Sequence, residues 1–224
     1  MKTKIATLTI GQAPRVDILP VLEKYIPADA MAHFGVLDGL TDEQVEKGFL
    51  PSPGEKVLVS RLKSGKEAKL GDTKIEAGLQ VKIDRLNEQG YQIIMLLCTG
   101  EFHSLSSEKA MLIEPDRVIP AALAEIVANK QLGVIVPAEE QIKEQLSKWK
   151  QLRKPPVCTA ASPYSASEQE VIKAGQEVQA MGADVVILDC IGYNETHLKW
   201  LQGALDIPVL LSNRFIAGIV GQFI

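Results

Sequence analysis

The sequence predicts an α/β protein built from two similar parallel-sheet halves, with a cleft between them. Three observations predict it. Short runs rich in Val and Ile recur without polar alternation, the pattern of strands buried on both faces. Longer stretches of helical period lie between them, which indicates crossover connections and a parallel sheet. Two segments, QIIMLLCTG at 92–100 and DVVILDCIG at 184–192, share a strand, a terminal cysteine and a glycine two residues later.

In chain order, Met1 to Ile10 enters a strand pattern directly, with Ile5 to Ile10 as the first strand, opening onto IGQAPR at 10–15 and then a helix. Pro14 is placed to start that helix. Residues 38–49 read either as a short helix or as a surface connection, and LPSPG at 50–54 is a rigid turn. Lys56 to Leu62 and Lys66 to Leu70, joined at Ser64-Gly65, predict an antiparallel hairpin added to the first half. Thr73 to Gln89 is a helix with a stripe of Ile75, Leu79, Ile83 and Leu86, closed by Gly90.

The strand Ile93 to Leu97 runs into Cys98, and the halves join near 115–131. Leu132 to Val136 opens the second half and leads through PAEEQ at 137–141 into a helix; a short strand at 156–158 follows. Ser165 to Met181 is helical, with Ser165 and Glu168 in capping-box spacing and Gly182 at its end. The strands Asp184 to Leu188 and Ile207 to Leu211 complete the pattern. Duplication of one α/β half accounts for the paired segments; chance similarity between buried strands accounts for the echo alone.

Composition narrows the function classes. Lys and Arg total 24 against 28 Asp and Glu, a net charge of -4, and aromatic residues make up only 5%. Neither a phosphate-tracking stripe nor a base-stacking surface is expected, so no nucleic-acid partner is. The cluster Lys143, Lys148, Lys150, Arg153 and Lys154 is interleaved with Glu139, Glu140 and Glu144 and reads as a solvated helix face. No apolar run reaches the roughly 20 residues of a membrane span, and no targeting segment is recognised, so a cytoplasmic location is expected. Cys98, Cys158 and Cys190 fit neither a disulfide scaffold nor a metal-ligand spacing, and no metal or cofactor is expected.

In open parallel sheets, ligands bind beyond the carboxyl ends of the strands. Cys98 and Cys190 both fall there, each read as lying where a helix begins, so that backbone N–H groups favour a thiolate. Either cysteine alone reads equally as core filling. As a pair they suit one reaction type: one thiolate removes a carbon-bound proton beside a carboxylate, and the opposite thiol returns one. Cys158 reads as a core or near-site residue.

Around them, Thr9, Gly11 and Gln12 form the loop after the first strand, where Gly11 permits close approach of a ligand. Arg15 either holds a carboxylate or pairs with Asp17. Thr99 and Gly100 flank Cys98, and Thr99 is a donor for a bound acid. Glu101 either orients a base or starts a helix. Thr159 and Ser162, with Tyr164, line a polar loop in the second half. Tyr193 either contacts ligand or packs, and Asn194 caps a helix. Asp189 either raises the Cys190 pKa or forms a structural ion pair on the opposite face. His33, His103 and His197 form no catalytic signature, His103 being the nearest to a cysteine in sequence.

IGQAPR at 10–15, LLCTGEF at 96–102 and LDCIGY at 188–193 resemble the AroM family over the whole chain. More distantly, the architecture resembles the aspartate/glutamate and hydantoin racemase superfamily, which includes maleate isomerase and arylmalonate decarboxylase. That resemblance implies a three-layer αβα arrangement and cofactor-independent chemistry in which one cysteine from each half flanks a small carboxylate. It also implies halves of 1–115 and 116–212, with 213–224 returning to the first, and a homodimer. Thr99 stands where the racemases carry Asn-Thr after the first cysteine. Asp189 and Ile191 depart from their Gly-Cys-Thr setting at the second.

Overall fold

The computed structural model describes residues 3–224, so Met1 and Lys2 of the expected lead-in to the first strand lie outside the described residues. The contacts within the chain form two compact units. One holds the described residues up to Pro115 together with Ala217–Ile224, and the other holds Asp116–Ile216.

The first unit is built on β1 (Ile5–Thr9), β2 (Met31–Gly35), β5 (Ile93–Leu97) and β6 (Met111–Ile113), all parallel, in the order β2-β1-β5-β6. β1 and β5 are buried along their whole length, as their unalternated apolar runs require. Ala6, Leu8, Ile94 and Leu96 meet Ile75, Leu79, Ile83 and Leu86 of α3 (Asp72–Glu88) in one core. Gly90 ends that segment at φ +77°, a backbone conformation in which glycine carries no Cβ penalty. β2, half-buried, and β6, three residues long, carry no recognisable strand signal.

Between β2 and α3 the chain forms α2 (Asp42–Phe49), which resolves 38–49 in favour of a helix. Thr41 and Gln44 close a capping box there. The hairpin β3 (Val57–Arg61) and β4 (Glu67–Gly71) is antiparallel, but it is a sheet of its own and does not extend the parallel one. Pro14 starts no helix; it follows a cis peptide bond, and α1 (Leu19–Leu22) begins later, with a proline in its first turn.

The second unit repeats the plan. β7 (Leu132–Val136), β8 (Val157–Ala160), β9 (Val185–Leu188) and β10 (Val209–Leu211) are parallel in the order β10-β9-β7-β8. In both units the first strand lies between the second and the third, with the fourth at the edge beyond the third. α4 (Pro115–Val127) precedes β7, and α5 (Ile142–Lys148), α6 (Glu168–Ala180) and α7 (Glu195–Ala204) connect its strands. α6 starts two residues later than its capping signal suggested. Ser167 is the cap, with Glu170 closing the box, and Ser165 lies outside the helix. α8 (Ser212–Val220) leaves β10 directly.

Candidate active site

A sheet whose first strand sits between its second and third has a switch point at the carboxyl ends of the first and third strands. In the first unit that point lies between the β1 loop and Cys98. In the second it lies between the β7 loop and Cys190. Each cysteine therefore follows the third strand of its sheet. Each is tied by the same turn: the Gly100 N–H reaches the Cys98 Sγ at 3.3 Å, and the Gly192 N–H reaches the Cys190 Sγ at 3.4 Å. The Thr9 hydroxyl accepts the Gly11 N–H in the same i to i+2 geometry at 3.2 Å.

Cys98 does not precede a helix. Residues 99–110 are irregular, and Glu101 starts none; its carboxylate lies 3.9 Å from the Lys56 Nζ. The helix-terminus argument therefore fails at this thiol, and the Gly100 N–H is the donor that takes its place. Cys190 lies a short loop ahead of α7. Both cysteines are buried, at 9% and 8% exposure, each against the apolar core of its own unit.

β3 lies over the first switch point. A Cβ at Gly100 would come within 2.7 Å of the Leu58 Cδ2, and one at Gly11 would collide with the Ser60 hydroxyl. The closeness that Gly11 permits is thus to the hairpin. Lys56 donates to the Glu101 carbonyl, and the Lys63 N–H donates to Gln12. Gln12 is buried, and its carboxamide also reaches the Leu40 carbonyl at 2.7 Å, so it ties the loop to its surroundings. The Ser60 Oγ is fully buried and has no hydrogen-bond partner. Arg15 forks onto Asp17 at 2.9 and 2.7 Å, which settles that pairing. Thr99 is buried beside Cys98. His103 is exposed, its backbone N–H donated to Glu76.

In the second unit, Asp189 and Cys190 follow the end of β9, and Cys190 packs in the apolar core of that unit. Asp189 receives the Lys148 Nζ at 2.5 Å, and the pair is almost wholly buried. The solvated reading of Lys148 is therefore overturned, because α5 turns Gln145, Lys148 and Trp149 inward together. The i, i+3, i+4 spacing with Trp149 was the signal available in the sequence. Ser212 donates to the Leu188 carbonyl, and Asn213 donates to the carbonyls of Ile191 and Tyr193. Sequence reasoning missed both residues, since nothing local marks them.

Tyr193 packs: it is fully buried, and its hydroxyl donates to the Ala161 carbonyl at 2.5 Å. Burial, then the charges of Cys190, Asp189 and Tyr164, raises its pKa well above the ordinary value. Thr159 lies within β8, not after it, and its hydroxyl donates to Ala174. Ser162 accepts the N–H groups of Tyr164 and Ser165 beside a 440 Å³ depression with Glu139, Glu170, Glu177 and Lys173, an acidic lining that disfavours a carboxylate. Burial, with Asp189 adding to it, pushes the Cys158 thiol up to about 11, which suits the core role. Among the described residues no cluster of three or more metal-binding side chains occurs, and no helix is long and apolar enough to cross a membrane.

A family model described as AroM protein matches residues 5–224. No curated protein matches the sequence. Solved structures similar in fold include glutamate racemase from Aquifex pyrophilus (TM-score 0.60, 15% identity, 99% of this chain and 84% of that one). Allantoin racemase from Klebsiella pneumoniae (TM-score 0.59, 12% identity, 99% and 87%) is another. A third is unliganded arylmalonate decarboxylase (TM-score 0.55, 10% identity, 97% and 90%).

Proposed function

Since the chain belongs to the AroM family and has the two-half parallel α/β fold of the racemases it resembles, we propose that it is a cofactor-independent racemase- or isomerase-like enzyme acting on a small carboxylate. The observation that carries this reading is the repeated cysteine turn. In both sheets a thiol follows the third strand at the switch point, held by the N–H of a glycine two residues on. One thiolate takes the proton from the carbon next to the carboxylate, and the electron pair moves into the carboxylate as an enolate. The other thiol then gives its proton to the opposite face of that carbon.

Cys98 and Cys190 are the proposed acid–base pair. Thr99 and the backbone about Gly100 are the proposed holders of the substrate carboxylate, with Thr9 and Gly11 shaping the neighbouring loop. The two units are the proposed halves of the enzyme, and the cytoplasm, where three free thiols stay reduced, is its proposed location.

A second reading rests on a different observation. Asp189, joined to Lys148, and Ile191 flank Cys190 where the racemase resemblance expects a small residue and a hydroxyl. That substitution favours a protein that binds a small carboxylate without turning it over, or one that uses Cys98 alone.

Labelling with bromoacetate, a reactive small acid, separates these at neutral pH. The two-thiol enzyme takes up label at both Cys98 and Cys190, and a bound carboxylate protects both, while Cys158 stays unlabelled. Labelling confined to Cys98 supports single-thiol chemistry, and no protected labelling at either position counts against a catalytic site.

A further inference from the structure

Beyond the strand-end cysteines, the first unit contains a pocket of 270 Å³ between the β1 loop and the turn of the hairpin. It is lined by Gln12, Pro14, Arg15, Val16, Asp17, Arg61, Leu62, Lys63 and Gly65. Neither Cys98, Thr99 nor Gly100 contributes to it. We propose that this pocket is a separate binding site for a small organic anion, a carboxylate or phosphate on a short aliphatic body.

Charge carries the argument. Arg15 and Asp17 neutralise each other as a buried pair. The other charged side chains of the lining, Arg61 and Lys63, are both positive. Glu67 faces Arg61 across the hairpin by register and is not among the residues that line the pocket. The Arg61 Nε donates to the Gly65 carbonyl, which fixes the guanidinium at the turn and leaves its terminal N–H groups for a ligand. A guanidinium held in this way matches two acceptor oxygens of a carboxylate or phosphate. On a chain of net charge -4, such a local excess is a specific feature and not part of a basic surface.

Shape adds the rest. Pro14, Val16 and Leu62 supply aliphatic wall, and the volume lies below that of sites for drug-sized ligands. One wall is the loop after β1 and the other is the hairpin that covers the first switch point. Gln12 already joins the two walls, its carboxamide accepting the Lys63 N–H. An anion bound here would add a second tie between loop and hairpin.

The test is calorimetric titration of the full-length protein with malonate and with inorganic phosphate, at fixed ionic strength. Wild type, Lys63→Ala, Arg61→Ala and Arg85→Ala are compared, the last removing an equal charge from an exposed position on α3. Saturable binding of either probe that weakens about tenfold in Arg61→Ala and severalfold in Lys63→Ala, and is unchanged in Arg85→Ala, is expected, since a charge-assisted hydrogen bond is about that strong. Whichever probe saturates identifies the oxygen acid. Absence of saturation with both probes, or equal weakening in all three variants, overturns the proposal. Lys63 is exposed, so its variant keeps the test valid if Arg61→Ala unfolds. Cys98→Ala, titrated in parallel, retains this binding whether or not the cysteine chemistry is correct, so the two readings fail separately.

Discussion

At the scale of single residues, most of the strand-end side chains hold the loops rather than await a ligand. The Ser60 hydroxyl, within β3 against the loop after β1, is buried with no partner, so removing it leaves no broken hydrogen bond. Ser60→Ala is therefore expected to change stability by less than about 0.5 kcal/mol in urea denaturation. Gly11→Ala drives a methyl into that hydroxyl and is expected to cost about 1–3 kcal/mol. Combining the two is expected to recover part of that loss.

Lys148 behaves in the opposite way. Its removal in Lys148→Met strands a buried Asp189 and is expected to cost about 3–5 kcal/mol, with much of it recovered in Lys148→Met/Asp189→Leu. Cys158, its thiol raised to about 11, is expected to react slowly with iodoacetamide at pH 8 and to keep gaining rate beyond pH 10. An ordinary thiol levels off near pH 9. The same shift makes the folded state hold its proton more tightly, so this contribution to stability is present below pH 9 and is lost as pH rises towards 11.

At the scale of elements, α7 shows how a cap can depend on pH. The Asn194 side chain accepts from the Thr196 N–H, while the His197 Nδ1 accepts from the Asn194 N–H at 3.0 Å. Burial holds the His197 pKa below 6.5. The unfolded chain binds that proton more readily, so the cap's contribution is complete above pH 6.5 and is lost as pH falls through the lower folded value. Thermal melts at pH 5 and 7 are expected to show a smaller difference in His197→Gln than in wild type, because glutamine at this position closes a capping box without titrating.

The elements also show what the sequence made legible. β1, β5 and β7 were readable because strands buried on both faces need unbroken apolar runs. β2 was not, because MAHFG is half-buried and its pattern is mixed. The hairpin was visible from Gly65, but its position over the strand ends was not, since contacts such as Ser60 with Gly11 depend on tertiary packing. The inward turn of Lys148 was signalled only by its spacing with Gln145 and Trp149, while its partner Asp189 lies far along the chain, just past β9. Both cysteine positions were legible, because each ends an apolar run. The helix inferred after Cys98 was not there, since the following glycine signals a turn as readily as a cap.

At the scale of the whole molecule, both sheets have the same second-first-third-fourth strand order. Strand order is a property of the chain path and does not follow from buried composition, so the likeness of the two units goes beyond two similar apolar runs. The shared order gives each unit a switch point, and a cysteine follows the third strand of each sheet. The turn that holds each thiol is also repeated, although Thr99 and Ile191 differ between the copies. That pairing is what the proposed chemistry needs and what a single-site protein does not.

The central claim is that a carbon-bound proton moves between these two thiols, and NMR in D2O tests it most directly. A panel of small amino, hydroxy and dicarboxylic acids is incubated with wild type, Cys98→Ala and Cys190→Ala. Deuterium is expected at the α-carbon of one acid with wild type and lost in both variants. Undiminished exchange in both variants, or no exchange with an acid shown by calorimetry to bind, would contradict the two-thiol account.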